Sequence, residues 1–266
     1  MIAARLCAAI ISGGQMTNIA RASTREPEAP VAPLPFPRVL PSIGWIVLYF
    51  VLQGVCVAIA ASILQDITKL GDVGALKENP EIILWGASAS AIVQLILMAL
   101  YLRKGDRMSR IGLTHFGHMN FVRVLGLAFV LVLAAMAFNA FYANFIIPGI
   151  KMQGEYAEIM ANLQMTPANI AAGIFVVVVA APLVEELLFR GFLQRALTNR
   201  LPVWAAIVIS SLPFALVHGQ PYAIPGLMSL SIAFGYLYHR TGSLRTNIML
   251  HMANNAFTLT LMQLLN

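Results

Sequence analysis

The sequence predicts an all-α fold: a polytopic membrane helix bundle of about seven transmembrane helices, or eight if one further segment is re-entrant. Three observations predict it. Hydrophobic residues make up 59% of the 266 residues and charged residues only 11%, against about 25% charged in soluble domains. The mean hydropathy is +0.78. Seven apolar stretches follow one another between short polar segments, as in a chain whose main solvent is lipid.

Residues 1–42 are predicted to be a flexible, proline-rich lead-in to a transmembrane domain that covers residues 43–266. Six prolines between positions 26 and 42 favour extended, unpacked backbone. The apolar run in residues 1–14 is too short to span a bilayer. This run leaves open both a weak signal-like segment and a translation start at Met16.

The predicted spans are the seven apolar stretches themselves. The last three are short or closely spaced, which indicates helices packed within a bundle. The fourth begins as an apolar run and keeps its helical pattern to about residue 199. The stretches are about 43–64, 82–102, 121–147, 168–199, 203–218, 224–239 and 244–265.

Lysine and arginine counts indicate which ends of the spans face the cytoplasm. With the N-terminus inside, thirteen of the 17 Lys and Arg residues fall in segments 1–42, 103–123, 195–202 and 240–245, and three fall in outside loops. The remaining one, Arg190, lies inside the fourth span. The positive-inside rule therefore predicts an integral protein of the cell inner or plasma membrane, with a cytoplasmic N-terminus and an outside C-terminus.

Charge and cysteine content exclude several other classes of protein. The net charge of +6 would suggest a nucleic-acid partner in a soluble protein. Here loop Lys and Arg account for it, so the expected surroundings are a lipid bilayer and no nucleic acid. Cys7 and Cys56 have no partner spacing, which argues against a disulfide framework and against a thiolate metal site.

Two adjacent carboxylates, Glu185 and Glu186, follow an uncharged run that starts at residue 168. Each ionised group in hydrocarbon costs at least ~2.5–3.5 kcal/mol on insertion scales, so the pair indicates a functional site. On an α-helix, Glu186 shares a face with Arg190, and Glu185 lies roughly 100° round. We expect Glu186 to pair with Arg190 and Glu185 to exchange a proton. The alternative is that both glutamates pair structurally with arginines.

Two of the five histidines, His218 and His251, are candidates for a functional site. His218 ends the fifth span, four residues after Phe214 and on its face, and His251 lies inside the seventh span, four residues before Asn255. A lone buried histidine is more often a satisfied core residue than a catalyst, but two beside a glutamate pair favour a site. The other three, which we expect to be solvated, are His115, His118 and His239.

Helix geometry predicts how deep these groups lie. Glu185 precedes Leu201 by 16 residues and His218 follows it by 17, so both lie about 25 Å from that turn. His251 is about 12 Å from the inner end of its span. The depths agree if the hairpin of the fourth and fifth helices projects ~10 Å or more into the cytoplasm. The result is a polar pocket recessed ~10–15 Å from the cytoplasmic face.

These side chains supply the groups that peptide hydrolysis needs. A glutamate assisted by a neutral histidine can take a proton from water, and a second histidine with an asparagine amide can donate to a developing oxyanion. The set Glu185, His218 and His251 could instead bind Zn²⁺, so metal-free and zinc-dependent activation both stay open. No Gly-x-Ser-x-Gly context occurs and neither cysteine has a histidine close in sequence, which leaves no candidate nucleophile.

At these residues the sequence resembles the CPBP family: type II CAAX prenyl endopeptidases and bacteriocin-processing or immunity membrane proteins, also called the Abi family. The resemblance covers about residues 168–260, as a CPBP-like catalytic core with one motif on each of three spans. The family motifs Glu-Glu-x-x-x-Arg, Phe-x-x-x-His and His-x-x-x-Asn/Asp stand here as Glu185-Glu186-Leu-Leu-Phe-Arg190, Phe214-Ala-Leu-Val-His218 and His251-Met-Ala-Asn-Asn255.

The resemblance implies an intramembrane endopeptidase, of a kind commonly labelled a metalloprotease. Its substrate would be a membrane-associated peptide or protein tail, prenylated in the CAAX case, cut near the cytoplasmic face. The residues implied are Glu185 and His218 for water activation, His251 and Asn255 for the oxyanion, and Glu186, Arg190 and Phe214 in support.

Two other classes of function stay open. A non-enzymatic immunity or scaffolding protein of the bacteriocin-immunity type could bind a peptide in the same pocket. A proton-coupled transporter would also place glutamate and histidine in the membrane, but it predicts an inverted repeat, which the sequence does not show. We rank the endopeptidase first.

Overall fold

The structure, a computed structural model, describes residues 36–64, 79–117, 119–148 and 163–265. Every regular element within these ranges is helical and none is a strand, which confirms the all-α prediction. Most of the predicted lead-in, residues 1–35, lies outside the described residues. Its last part differs from the prediction, because the first helix already begins at Val39.

All seven predicted apolar stretches are helical. The main differences from the predicted bounds are an earlier start for the first helix, an end at Leu216 for the fifth, and an extension of the sixth to Thr241. A short helix, Arg107–Arg110, lies between the second and third. The helices are α1 Val39–Leu64, α2 Pro80–Leu102, α3 Phe121–Ile146, α4 Pro167–Thr198, α5 Val203–Leu216, α6 Ile224–Thr241 and α7 Leu244–Leu265.

Helix α4 lies at the centre of the described bundle. By length and composition, α1 to α4 could each cross a membrane, and α5 is a shorter apolar helix. In the most apolar 18-residue stretch of each helix, 50% of the residues are buried in α4, 11% in α1 and 17% in α3. Large apolar side chains on the outer helices are exposed, such as Val51 on α1 and Phe129 on α3. The helix that carries the glutamate pair is therefore wrapped by the others, whereas α1 and α3 offer apolar faces to lipid.

The backbone of α4 departs from a uniform α-helix. It follows α geometry over Pro167–Ile174 and π geometry, with i→i+5 hydrogen bonding, over Phe175–Ala180. After one α turn, Ala181–Glu185, π geometry returns over Glu186–Gln194. We expected α geometry throughout this helix, and that expectation is wrong for its two π segments. π-Helical turns are rare and frequently occur at functional sites, and the second one begins at Glu186.

Segments that were predicted to lie inside meet at one end of the bundle. Asn199 Nδ2 donates to the carbonyl of Pro37 over 3.4 Å, which ties the α4–α5 turn to the start of α1. The backbone N–H of Leu244, where α7 begins, donates to the carbonyl of Gly112 over 2.9 Å. Segments 1–42 and 195–202 thus contact each other, as do segments 103–123 and 240–245. That this end faces the cytoplasm stays a prediction.

A glycine allows α1 and α2 to approach each other closely. A Cβ atom built on Gly86 would lie 2.6 Å from Cα of Val57, whereas a Cβ on Gly54 of α1 would meet no atom within 4 Å. This approach accompanies the packing of α1 on α4, where the rings of Trp45 and Phe192 have centroids 5.9 Å apart. The α1–α2 pair therefore depends on a missing side chain at position 86.

We expect Gly86→Ala to destabilise the protein by about 1–3 kcal/mol, because the added methyl group forces the α1 backbone away. Gly54→Ala is the matched control, since it makes the same exchange in a membrane helix without a clash and raises helix propensity. The measurement is the thermal unfolding midpoint of each variant in detergent. Equal midpoints for the two variants would contradict the close α1–α2 packing.

Candidate active site

Glu186 is a fully buried carboxylate with three partners. Its side chain is 0% exposed. Arg190 Nη1 lies 3.1 Å from Oε1, His251 Nδ1 lies 2.9 Å from the same oxygen, and Asn247 Nδ2 donates to Oε2 over 2.6 Å. A buried charge is tolerated only when it is paired and hydrogen-bonded, and here both oxygens are satisfied. The expected Glu186–Arg190 pair is present, and α7 supplies two further donors.

Arg190 is held from several sides. Its Nη2 donates to the carbonyl and to the hydroxyl of Ser231 on α6, each over 3.1 Å. Its guanidinium carbon lies 4.7 Å from the ring centroid of Phe214 and 5.8 Å from that of Phe234. Nη1 is close to Glu186 but lacks the angle of a hydrogen bond, so their contact is an ion pair. The supporting role expected for Phe214 has a physical basis in this cation–π contact.

Glu185 has a different environment from its neighbour. Its side chain is 17% exposed, and its only ion-pair contact in the described part of the chain is His251 Nε2, 3.8 Å from Oε2. Tyr49 of α1 is near enough to interact electrostatically with this carboxylate. The separation from His251 exceeds a direct hydrogen bond. The two glutamates therefore have different environments: Glu186 is fully buried and Glu185 is partly accessible.

His251 connects the two carboxylates through its two ring nitrogens. Nδ1 faces an ionised carboxylate, which can only accept, so Nδ1 carries the proton of that hydrogen bond. When His251 is neutral, the Nε2 atom that faces Glu185 carries a lone pair. When His251 is protonated, Nε2 carries an N–H group instead. The ring stacks on Phe234 with centroids 4.8 Å apart, which fixes its plane. Glu186 thus sets both the tautomer and the orientation of His251.

His218 and Asn255 make their hydrogen bonds to backbone carbonyls rather than to the two glutamates. His218 is exposed, just beyond the end of α5, where Gly219 adopts the left-handed conformation (φ 68°) and closes the helix. Its Nδ1 donates to the carbonyl of Phe214 over 2.7 Å. Asn255 Nδ2 donates to the carbonyl of Val177 over 3.0 Å, in the first π segment of α4. Neither makes a hydrogen bond or ion pair with the glutamates among the described residues.

Of the three histidines expected to be solvated, His239 is exposed and His118 lies outside the described residues. His115 is half-buried, and its Nδ1 accepts from the N–H of Gly117 over 3.1 Å. His115 is therefore less solvated than we expected.

Two residues near the glutamates, Asn247 and Tyr49, were not predicted from the sequence. Asn247 lies four residues before His251 on the same face of α7, so its spacing was a usable signal once His251 had been singled out. Tyr49 belongs to the first span, in which no motif points to a site, and only the packing of α1 against α4 brings it near Glu185. Side chains recruited by packing leave no local pattern in sequence.

The proposed zinc ligands do not fit a metal ion in this geometry. No three His, Cys, Asp or Glu side chains within residues 36–64, 79–117, 119–148 and 163–265 converge in an arrangement that could hold one. Nδ1 of His251 is committed to Glu186, and His218 faces Phe214.

Comparison with known proteins identifies the same region. Residues 167–257 match the family described as type II CAAX prenyl endopeptidase Rce1-like. The membrane-embedded CAAX protease MroQ of Staphylococcus aureus (strain USA300) is 37% identical over 99 residues, which are 35% of this chain and 40% of MroQ. The chain thus spans about two fifths of the length of that relative. No solved structure matches.

The matched region contains the whole Glu185–Glu186 cluster, the Phe214–His218 motif and His251 with Asn255. Residues 167–257 are therefore similar to the type II CAAX prenyl endopeptidase Rce1-like family, and they carry the three motifs on three packed helices.

We expect Asn247→Ala to destabilise the protein by about 1–3 kcal/mol, because Oε2 of buried Glu186 loses its donor. Asn247→Asp keeps the shape but replaces the donor with an acceptor, so its loss should be larger. Asn254→Ala on the same helix removes only a 3.4 Å contact to Asn255 and is the control. If the melting midpoints of all three variants in detergent coincide, Asn247 does not support Glu186.

Proposed function

We propose that this protein is an intramembrane endopeptidase in which Glu185 activates a water molecule. The observation that carries the proposal is the unequal environment of two adjacent glutamates. Glu186 has its charge neutralised by buried partners, whereas Glu185 is partly accessible and its one ion-pair contact within the described residues is 3.8 Å long. A general base must be free to take up a proton, and only Glu185 is.

Helix geometry supports His218 as the assisting base. Phe214 packs on Phe189, with ring centroids 5.3 Å apart and a T-shaped geometry, and on Arg190. Because α4 and α5 are antiparallel neighbours, the residues that follow Phe214 and the residues that precede Arg190 run toward the same end of the bundle. His218 therefore lies on the side of Phe214 toward Glu185 and Glu186. Its Nδ1–H is used by Phe214, so Nε2 carries the lone pair that can accept a proton.

His251 and Asn255 are the proposed donors to the oxyanion. As the imidazolium, His251 donates from Nε2 while Nδ1 remains bound to Glu186, whose negative charge offsets the positive one. Asn255 uses one amide hydrogen for Val177 and keeps the other. The balanced reaction is attack of water on the peptide carbonyl, proton transfer to Glu185, and proton return to the leaving amine.

The proposed substrate is a membrane-associated peptide or protein tail, of the CAAX type as the name of MroQ states for that relative. The site would open to the cytoplasmic side of the membrane, because the basic segments at one end of the bundle follow the positive-inside rule. A non-enzymatic peptide-binding protein would use the same pocket without needing the free carboxylate of Glu185.

Glu185→Gln keeps the size of the side chain and removes its basicity, so we expect the rate of peptide cleavage to fall by about 10²–10⁴-fold. The assay compares purified wild-type and variant protein on prenylated and unprenylated CAAX-type peptides. The melting midpoint of the variant should stay close to that of the wild type, because Glu185 is not the buried partner. Equal cleavage by both proteins would refute the role of Glu185, and a function that survives in cells with Glu185→Gln would favour the binding protein.

Metal dependence is tested separately. The arrangement of Glu185, His218 and His251 predicts that cleavage persists after dialysis against a chelator and that the purified protein holds less than one equivalent of zinc. Metal analysis alongside the cleavage assay is the measurement. One equivalent of zinc that disappears in His218→Ala, together with chelator-sensitive activity, would show that these residues rearrange around a metal.

A further inference from the structure

A polar cavity lies away from the two glutamates in the part of the chain that the structure describes, and the proposed catalysis does not use it. Its volume is about 230 Å³, and it lies at the end of the bundle where the basic segments meet. Three segments line it: the stretch between α2 and α3, the last turn of α4 and the last turn of α6. The lining side chains that can carry or donate a charge or hydrogen bond include Ser109, Arg110, His115, Arg195, Thr198 and His239.

The charged lining residues of this cavity are basic, and none of the lining residues is acidic. Asp106, outside the lining, accepts from Arg110 Nε over 2.7 Å, which leaves the terminal nitrogens of that guanidinium to face elsewhere. The side chain of Arg195 is exposed and makes no hydrogen bond or ion pair within the described residues. Arg195 is therefore the lining cation whose charge no described carboxylate offsets.

Exposed aromatic residues and arginines surround the end of the bundle that holds the cavity. Around the same end, Trp204 is 59% exposed and stacks on Tyr236 with centroids 5.2 Å apart, and Arg240 donates to the Tyr236 hydroxyl over 2.7 Å. Arg245 lies over the ring of exposed Phe116. Exposed aromatic residues paired with cations are typical of the boundary between hydrocarbon and water.

We infer that this cavity binds a phosphate oxyanion, presented as the headgroup of an anionic phospholipid. Arg110 and Arg195 supply the charge, and the hydroxyl of Ser109 and the ring of His239 border the same space. Basic pockets between membrane helices bind such headgroups, and guanidinium groups match the geometry of phosphate oxygens. The last turn of α4, which carries Arg195, belongs to the helix that begins its second π segment at Glu186, so headgroup and active site share one helix.

The test measures binding to full-length protein in detergent. Short-chain phosphatidylglycerol, phosphatidylcholine of equal chain length, and inorganic phosphate are each titrated into wild type and into Arg195→Gln, Arg195→Lys, Arg110→Gln and Arg200→Gln. Arg200 is the matched control, because it is exposed at the same end but does not line the cavity. Melting curves without lipid confirm that the variants are folded.

We expect saturable binding of phosphatidylglycerol in preference to phosphatidylcholine. Arg195→Gln and Arg110→Gln should each weaken it by roughly fivefold, the effect of one basic residue near an anionic headgroup. Arg195→Lys keeps the charge without the guanidinium geometry and should weaken binding less than Arg195→Gln does, and Arg200→Gln should stay near the wild-type affinity. Binding of inorganic phosphate with the same variant pattern, but not of phosphatidylglycerol, would support the oxyanion site and assign it to soluble phosphate. Absence of saturable binding, or equal weakening by Arg200→Gln and Arg195→Gln, would overturn the inference.

Discussion

A single buried carboxylate is the constraint on which the rest of the structure depends. An ionised group without partners in a protein interior costs several kcal/mol even after relaxation, and Glu186 is completely buried. Arg190 of the same helix forms an ion pair with Glu186, and His251 and Asn247 of α7 donate hydrogen bonds to it. Arg190 is in turn held by α6 through Ser231 and by α5 through its ring contact. Four helices therefore contribute to holding the Glu186–Arg190 pair.

This arrangement leaves the neighbouring glutamate available for chemistry. Because Glu186 already has its own partners, Glu185 does not have to serve as a structural partner. Glu186 also holds the His251 ring, so the structural carboxylate orients a group of the proposed reaction without taking part in it. The two π segments of α4 contain Glu186 and Val177, and the carbonyl of Val177 accepts from Asn255. π-Helical turns are frequent near functional residues.

The positions of the helices could be read from the sequence because burial in lipid demands long apolar runs, and all seven predicted stretches are helical. The Glu186–Arg190 pair was also predictable, since a four-residue spacing brings two side chains together on one helix. The partnership of His251 with Glu186, 65 positions away, depends on how α7 packs on α4, which no local pattern encodes. The same holds for Asn247 and Tyr49. The π geometry of α4 has no recognised sequence signal either, so the assumption of a regular α-helix was wrong there.

The most direct test of the different roles of Glu185 and Glu186 compares the thermal stability of Glu185→Gln and Glu186→Gln in detergent at neutral pH. The account predicts that Glu186→Gln lowers the melting midpoint sharply, because it leaves Arg190 as a buried charge without its partner, which costs about 3–5 kcal/mol. Glu185→Gln should melt close to the wild type. The opposite order, or equal midpoints for the two variants, would contradict the division of roles between the two carboxylates.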